Sequence, residues 1–332
     1  MTVASQPSPA APVAAPSPTS DWITLTLRLV RWELFQAWRR VMAKVLLGIL
    51  IAGFVLEYLA LVLAYVGISA NADPAQAANS IRNLFTFPVS VALAEGYTSF
   101  MGVVMLCILA GTVVGGEYGY GTQRLALSRG IGRGQALAAK VMTLAILAGA
   151  VTAMMFLLSA LLGYTIGPAL GGSPDGLSVA GIAQLLGYWA AAALRLFAYS
   201  LVALFFATLG RSTAAGIGGA LGFVIVEVVG LFIVTGIVVA AMAMKLAGQA
   251  VPSYVNTLTT IRAAFLQTNV DALAGAARQG PLNLQLAPAS SQAQALLPAS
   301  PSALQALVVI VLWCAATIGF SYVLVRVRDV TD

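Results

Sequence analysis

Glu57, Arg195 and Glu227 each stand deep inside a long apolar run. A charged side chain in hydrocarbon is costly, so residues placed this way are candidates for an ion pair, a translocation path or a proton-coupled site. A second polar feature is "GGEYGYGTQRLALSRG", Gly115 to Gly130, where a carboxylate, a threonine, two arginines and turn-forming glycines directly follow an apolar run in a chain with only 8% charged residues. Other reactive chemistry is scarce. No GxxxxGK[ST] phosphate loop and no GxSxG occurs, histidine is absent, and no pair of aspartates sits within an apolar run. Cys107 and Cys314 are far apart and each lies in apolar surroundings, which argues against a zinc site or a disulfide framework. These absences argue against an enzyme, and no metal or cofactor is expected to be bound by this chain.

The elements that must carry these residues follow from composition. Of the 332 residues, 60% are hydrophobic and the mean hydropathy is +0.93, far from a water-soluble domain. An all-α, polytopic membrane protein is expected. Apolar stretches long enough for a bilayer core of about 30 Å cover residues 45–68, 96–115, 141–163, 186–209, 214–244 and 304–325. The fifth exceeds what a membrane needs and holds Gly230 and Gly236, so it is read as tilted, broken or extended.

Of 17 Lys and Arg, twelve gather on one side of these spans. They are Arg28, Arg31, Arg39, Arg40 and Lys44, then Arg124, Arg129, Arg133 and Lys140, then Arg211, Arg326 and Arg328. The positive-inside rule places both termini and the Gly115–Gly130 stretch in the cytoplasm. The +6 net charge points to anionic lipid rather than nucleic acid, since no basic cluster sits on a soluble fold. At 1.5 Å rise per residue, Glu57, Arg195 and Glu227 all lie roughly 18–21 Å deep. Arg195 and Glu227 are each 16 residues from Arg211, so an Arg195–Glu227 pair is predicted, with Glu57 as competing or additional partner.

The first 20 residues, rich in Pro, Ala and Ser, read as a disordered tail. In residues 21–44, Leu27, Val30, Leu34, Trp38 and Val41 recur at steps of three or four among arginines and three tryptophans, which predicts an amphipathic helix in the cytoplasmic interface rather than an extension of the first span. Residues 245–303 form an external segment. Val255, Leu258, Ile261 and Phe265, with Leu273, predict one or two short helices on the outer surface before a flexible return. Gly111 and Gly115, and Gly216, Gly218, Gly219 and Gly222, permit close helix contact within one chain or between two.

With these parts in place, "EYGYGTQRLALSRGIGRGQALAAK" resembles the segment after the second span in bacterial ABC type-2 transporter permeases, among them the multidrug-type, NatB-like members. In that family a Glu and an aromatic residue close the helix, here Glu117 and Tyr118. A Gly-Thr pair, Gly121 and Thr122, starts the next short element. An apolar stretch with Leu125 and Leu127 leads to Ser128 and Arg129, and Lys140 stands at the mouth of span three. The amphipathic helix before span one, the six spans and the "VRVRDVTD" ending are similar as well. Many relatives carry a Pro late in this loop where this chain has Gly130, Gly132 and Gly134, so the loop's final geometry is not carried over.

The resemblance implies a permease subunit in the bacterial cytoplasmic membrane, working with a separate ABC ATPase that binds ATP and Mg, and with a second permease copy of the same or another kind. It places a cytoplasmic coupling loop at residues 117–140, carrying a short coupling helix for the ATPase, with Arg124 among its contact residues. Read from the residues alone, Glu117 could equally pair with Arg124 or Arg129 in an ordinary cytoplasmic loop. The competing functions are a gradient-driven secondary transporter, or a membrane scaffold or receptor module without transport.

Overall fold

The computed structural model describes residues 18–71, 82–119, 132–174, 176–246, 253–282, 284 and 299–327. Among these, the regular elements are helices: α1 (Pro18–Arg39), α2 (Val41–Asn71), α3 (Ser90–Gly119), α4 (Arg133–Ala169), α5 (Val179–Gly210), α6 (Thr213–Leu246), α7 (Tyr254–Ala264), α8 (Leu266–Arg278) and α9 (Ala303–Val327). Six of them, α2 to α6 and α9, are long and apolar enough to cross a membrane. The described parts of the expected spans all fall within these helices. α3 begins at Ser90, several residues before the hydropathy boundary, and carries a π-helical turn at Thr98–Gly102. α6 runs unbroken through Gly230 and Gly236 for 34 residues, or roughly 51 Å.

α3 and α5 form the centre. In their apolar windows 61% and 67% of residues are buried, against 22%, 17% and 11% in α2, α6 and α9, which therefore keep broad apolar faces outward. Small residues set the tightest contacts. A Cβ on Gly115 would fall 2.5 Å from the Thr213 backbone, and one on Gly216 would fall 2.8 Å from the Ala207 Cβ. α3, α5 and α6 thus meet backbone to backbone within one chain, while Gly218 and Gly222 face open space. The α5–α6 turn is made by Arg211 in the left-handed region (φ 48°), followed by Ser212, whose Oγ accepts the Ala215 N–H at 3.1 Å and caps α6. This turn, the start of α4 and the end of α9 mark what is called here the basic end of the bundle, with Arg40, Arg133, Arg211 and Arg326 on it.

α1 is a helix of its own, separated from α2 at Arg40. Its apolar stripe divides between two surroundings. Thr26, Val30 and Ala37 face the protein, whereas Leu27, Trp32, Phe35, Trp38 and Val41 are exposed. Gln135 of α4 donates to the Trp22 carbonyl at 3.2 Å, and Arg40 donates to the Thr112 carbonyl of α3 at 2.7 Å, so α1 is fastened at both ends.

The segment after α6 departs from expectation. α8 does not lie on an outer surface but folds into the bundle against α5 and α9, while α7, buried only at Val255, lies along α6. Leu266, Thr268, Asn269, Val270 and Ala274 of α8 are buried, at helical spacing, while Ile261 is exposed and Leu273 half-buried. The corner between the two helices meets Trp313 of α9, ten residues or roughly 15 Å in from that helix's start, whose Nε1 donates to the Ala264 carbonyl at 3.2 Å. Asn269 closes the corner, donating to the Ala263 and Phe265 carbonyls at 2.8 and 2.7 Å. Backbone turned into the bundle needs such partners, since its polar groups are costly to leave unpaired.

Candidate functional site

α8 brings a row of polar side chains into the middle of the bundle, and this row organises the site. Asp271 and Arg278, seven residues apart, run antiparallel to Tyr188 and Arg195 of α5, while Glu95 of α3 faces both. Arg195 Nη2 lies 3.0 Å from Glu95 Oε1 and 2.8 Å from Asp271 Oδ1. The angle of the Arg195–Glu95 contact is off line: Glu95 Oε1 receives no hydrogen bond, so this attraction is Coulombic. Arg278 Nη2 makes a short contact with Glu95 Oε2, to which Tyr188 also donates at 3.2 Å while accepting from Arg278 Nε at 3.0 Å. Two cations and two anions therefore cancel. Arg195 is 3% exposed and Glu95 1%, so this cancellation occurs away from water, where an unpaired charge would be least tolerated.

Glu227 has another task. Phe265, at the start of α8, offers no side-chain cap. Glu227 Oε1 accepts the Gln267 N–H at 2.9 Å and its Oε2 accepts the Tyr199 hydroxyl at 2.6 Å, so a carboxylate from α6 caps the positive end of α8. Gln267 in turn donates to both Asp271 oxygens at 3.1 and 3.0 Å, joining the cap to the ion cluster. At the other end of α8, Gln184 of α5 donates to the Ala277 and Arg278 carbonyls at 3.3 and 2.9 Å.

The expected Arg195–Glu227 pair is therefore not made. α8 lies against both residues, giving Arg195 a carboxylate from Asp271 and giving Glu227 a backbone donor, while Tyr199 of α5 gives Glu227 a phenol. Glu57 is not an additional partner either, because it sits on the exposed face of α2. Glu95, Asp271 and Arg278 were not singled out from sequence. Glu95 fell one residue before the hydropathy boundary, though "SVALAEGY" has ordinary helix formers that would have carried the span back over it. Asp271 and Arg278 lay in a segment whose re-entry no local pattern announces.

A second cluster stands at the basic end. Lys140 Nζ donates to Glu117 Oε1 at 2.5 Å and to Glu33 Oε1 at 2.9 Å, with the three side chains 8%, 17% and 13% exposed. Glu117 closes α3 and Lys140 lies two turns into α4, so the pair draws together the two feet of the intervening loop. Glu33 ties both to α1. Arg133, at the first position of α4, donates to the last carbonyls of α9, Val325 and Arg326, at 3.2 and 3.0 Å. Tyr118 packs against the α3–α5 core. Gly121, Thr122, Arg124, Leu125, Leu127, Ser128 and Arg129, and with them the expected coupling helix, lie outside the described residues.

Among known families, the profile of ABC-2 family transporter proteins aligns with residues 37–330. The chain belongs to the ABC-2 transporter family. It is a multi-pass membrane protein and an ABC transporter permease, the membrane subunit rather than the ATPase. The match takes in both charged clusters except Glu33, and the whole of the α7–α8 segment. No curated protein matched the chain significantly. The Glu33–Lys140–Glu117 cluster joins α1, α3 and α4, one member from each.

Proposed function

We infer that this permease is an exporter subunit in a bacterial cytoplasmic membrane, paired with a second permease copy and driven by a separate ABC ATPase seated on the α3–α4 loop. The single observation that carries this reading is the Glu117–Lys140–Glu33 cluster. It ties the two ends of the α3–α4 loop to each other and to α1. In this reading the residues from Glu117 to Arg129 form the contact surface, with Glu117 and Tyr118 at its root and Thr122 able to cap a short helix. Nucleotide and Mg chemistry belong to the ATPase, and this chain contributes no cofactor site.

Co-expression with the ATPase encoded nearby, copurification, and ATP-dependent transport in inside-out vesicles test the reading. Lys140→Ala is expected to cut transport at least tenfold while the complex still forms, and Arg129→Ala to weaken ATPase association. Transport by the chain alone under a proton or sodium gradient, without nucleotide, overturns the reading in favour of a secondary transporter.

A further inference from the structure

Among the described residues of the six membrane-length helices, one charged side chain away from the helix ends is exposed: Glu57 on α2. It lies 16 residues beyond Val41 and ten before Gly67, roughly 24 and 15 Å from the ends of the span. The other mid-depth charges are answered, Glu95 and Asp271 by arginines and Glu227 by two donors. Glu57 receives no hydrogen bond and no opposite charge from any described residue. A carboxylate in that position cannot face acyl chains without heavy cost, so the α2 face that bears it borders a cavity or a polar occupant.

Its neighbours indicate what kind of occupant. Gly53, one helical turn before Glu57, leaves a gap filled by the Tyr97 hydroxyl, which lies 2.2 Å from where a Cβ on Gly53 would be. Residues four apart on a helix are neighbours, so the Tyr97 ring edge stands beside Glu57, held there by packing on Phe54 at 5.6 Å between centroids. Phe100 and Met101, on the π-helical turn that follows Tyr97, are exposed on α3, and Gly96 has open space before it. A π-helical turn inside a span commonly marks a functional place. The surface thus offers one uncompensated negative charge flanked by an aromatic and apolar rim.

We propose that Glu57, with Tyr97 and Phe100, forms a cargo-recognition site for an organic cation with an apolar body. The carboxylate supplies the counter-charge, the ring faces supply cation–π attraction and apolar contact, and the open space at Gly96 leaves room for the bulk of the ligand. This rests on the permease reading for its purpose, but not for its test.

The full-length chain in nanodiscs is titrated with tetraphenylphosphonium, with neutral triphenylphosphine oxide as counterpart. Saturable binding of the cation is expected. Glu57→Gln weakens it at least tenfold, Glu57→Asp keeps it within threefold, and Tyr97→Phe with Phe100→Ala weakens it several-fold, while the neutral compound binds all variants alike. Because Glu57 makes no bond in the fold, Glu57→Gln keeps the wild-type melting temperature. Absence of saturable binding by wild type, equal affinity in Glu57→Gln, or displacement by an equal concentration of potassium each overturns the proposal. The assay needs no ATPase, so failure of the permease reading appears separately, in the copurification experiment.

Discussion

Arg195 shows how much one side chain in this bundle depends on its surroundings. It is buried beside Glu95 and also reaches the half-exposed Asp271, and deleting one member of the buried pair leaves the other uncompensated, at about 3–5 kcal/mol. Arg195→Ala is therefore expected to lower the melting temperature in detergent strongly, and Glu95→Gln added to it to restore part of the loss. Asp271 is 50% exposed, so water screens it and Asp271→Asn should cost distinctly less than Glu95→Gln alone. Glu227 supports a different expectation. As a cap it needs an acceptor more than a charge, so Glu227→Gln should keep most of the stability that Glu227→Ala loses, with about 1–2 kcal/mol between them in a denaturant titration. An Arg195–Glu227 pair would instead make Glu227→Gln nearly as damaging as Glu227→Ala.

Elements in this protein are joined by two devices, close glycine contacts and polar clamps. Gly115→Ala would drive a methyl group into the Thr213 backbone, which has no side-chain freedom to yield, and overpacking of this kind costs about 1–3 kcal/mol. Gly218→Ala, in open space on the same pair of helices, should leave the melting temperature unchanged or slightly raise it. The contrast checks that α3 and α6 cross within one chain. The existence of the spans was legible because twenty apolar residues in a row have few other uses. The separate α1 was legible too, although its stripe divides between protein and outward faces in a way that spacing alone does not reveal. The inward fold of α8 was not legible. Its composition is that of an amphipathic helix, and only contact with Trp313, Gln184 and Glu227 draws it in.

For the whole molecule, the basic end should face the cytoplasm by the positive-inside rule. A cysteine replacing Ser253, at the entry to α7, is then expected to react in intact cells with a membrane-impermeant thiol reagent, and one replacing Gly132, before α4, only after permeabilisation. The reverse labelling pattern would invert the protein and remove the α3–α4 loop from any cytoplasmic ATPase.

Sequence by itself determined the class of this molecule: six membrane-crossing helices, a charge asymmetry between their ends, and a polar loop after the second span. These follow from hydropathy and chain length, which are sums over neighbours in sequence. It also identified Arg195 and Glu227 as residues that must be answered. What answers them was decided by tertiary structure alone. Charges 76 and 40 residues away, Asp271 beside Arg195 and the α8 N-terminus beside Glu227, reach them only because a short helix turns back into the bundle. The same packing decides that Glu57, so similar to Glu227 in sequence, is left facing outward with no described residue to answer it.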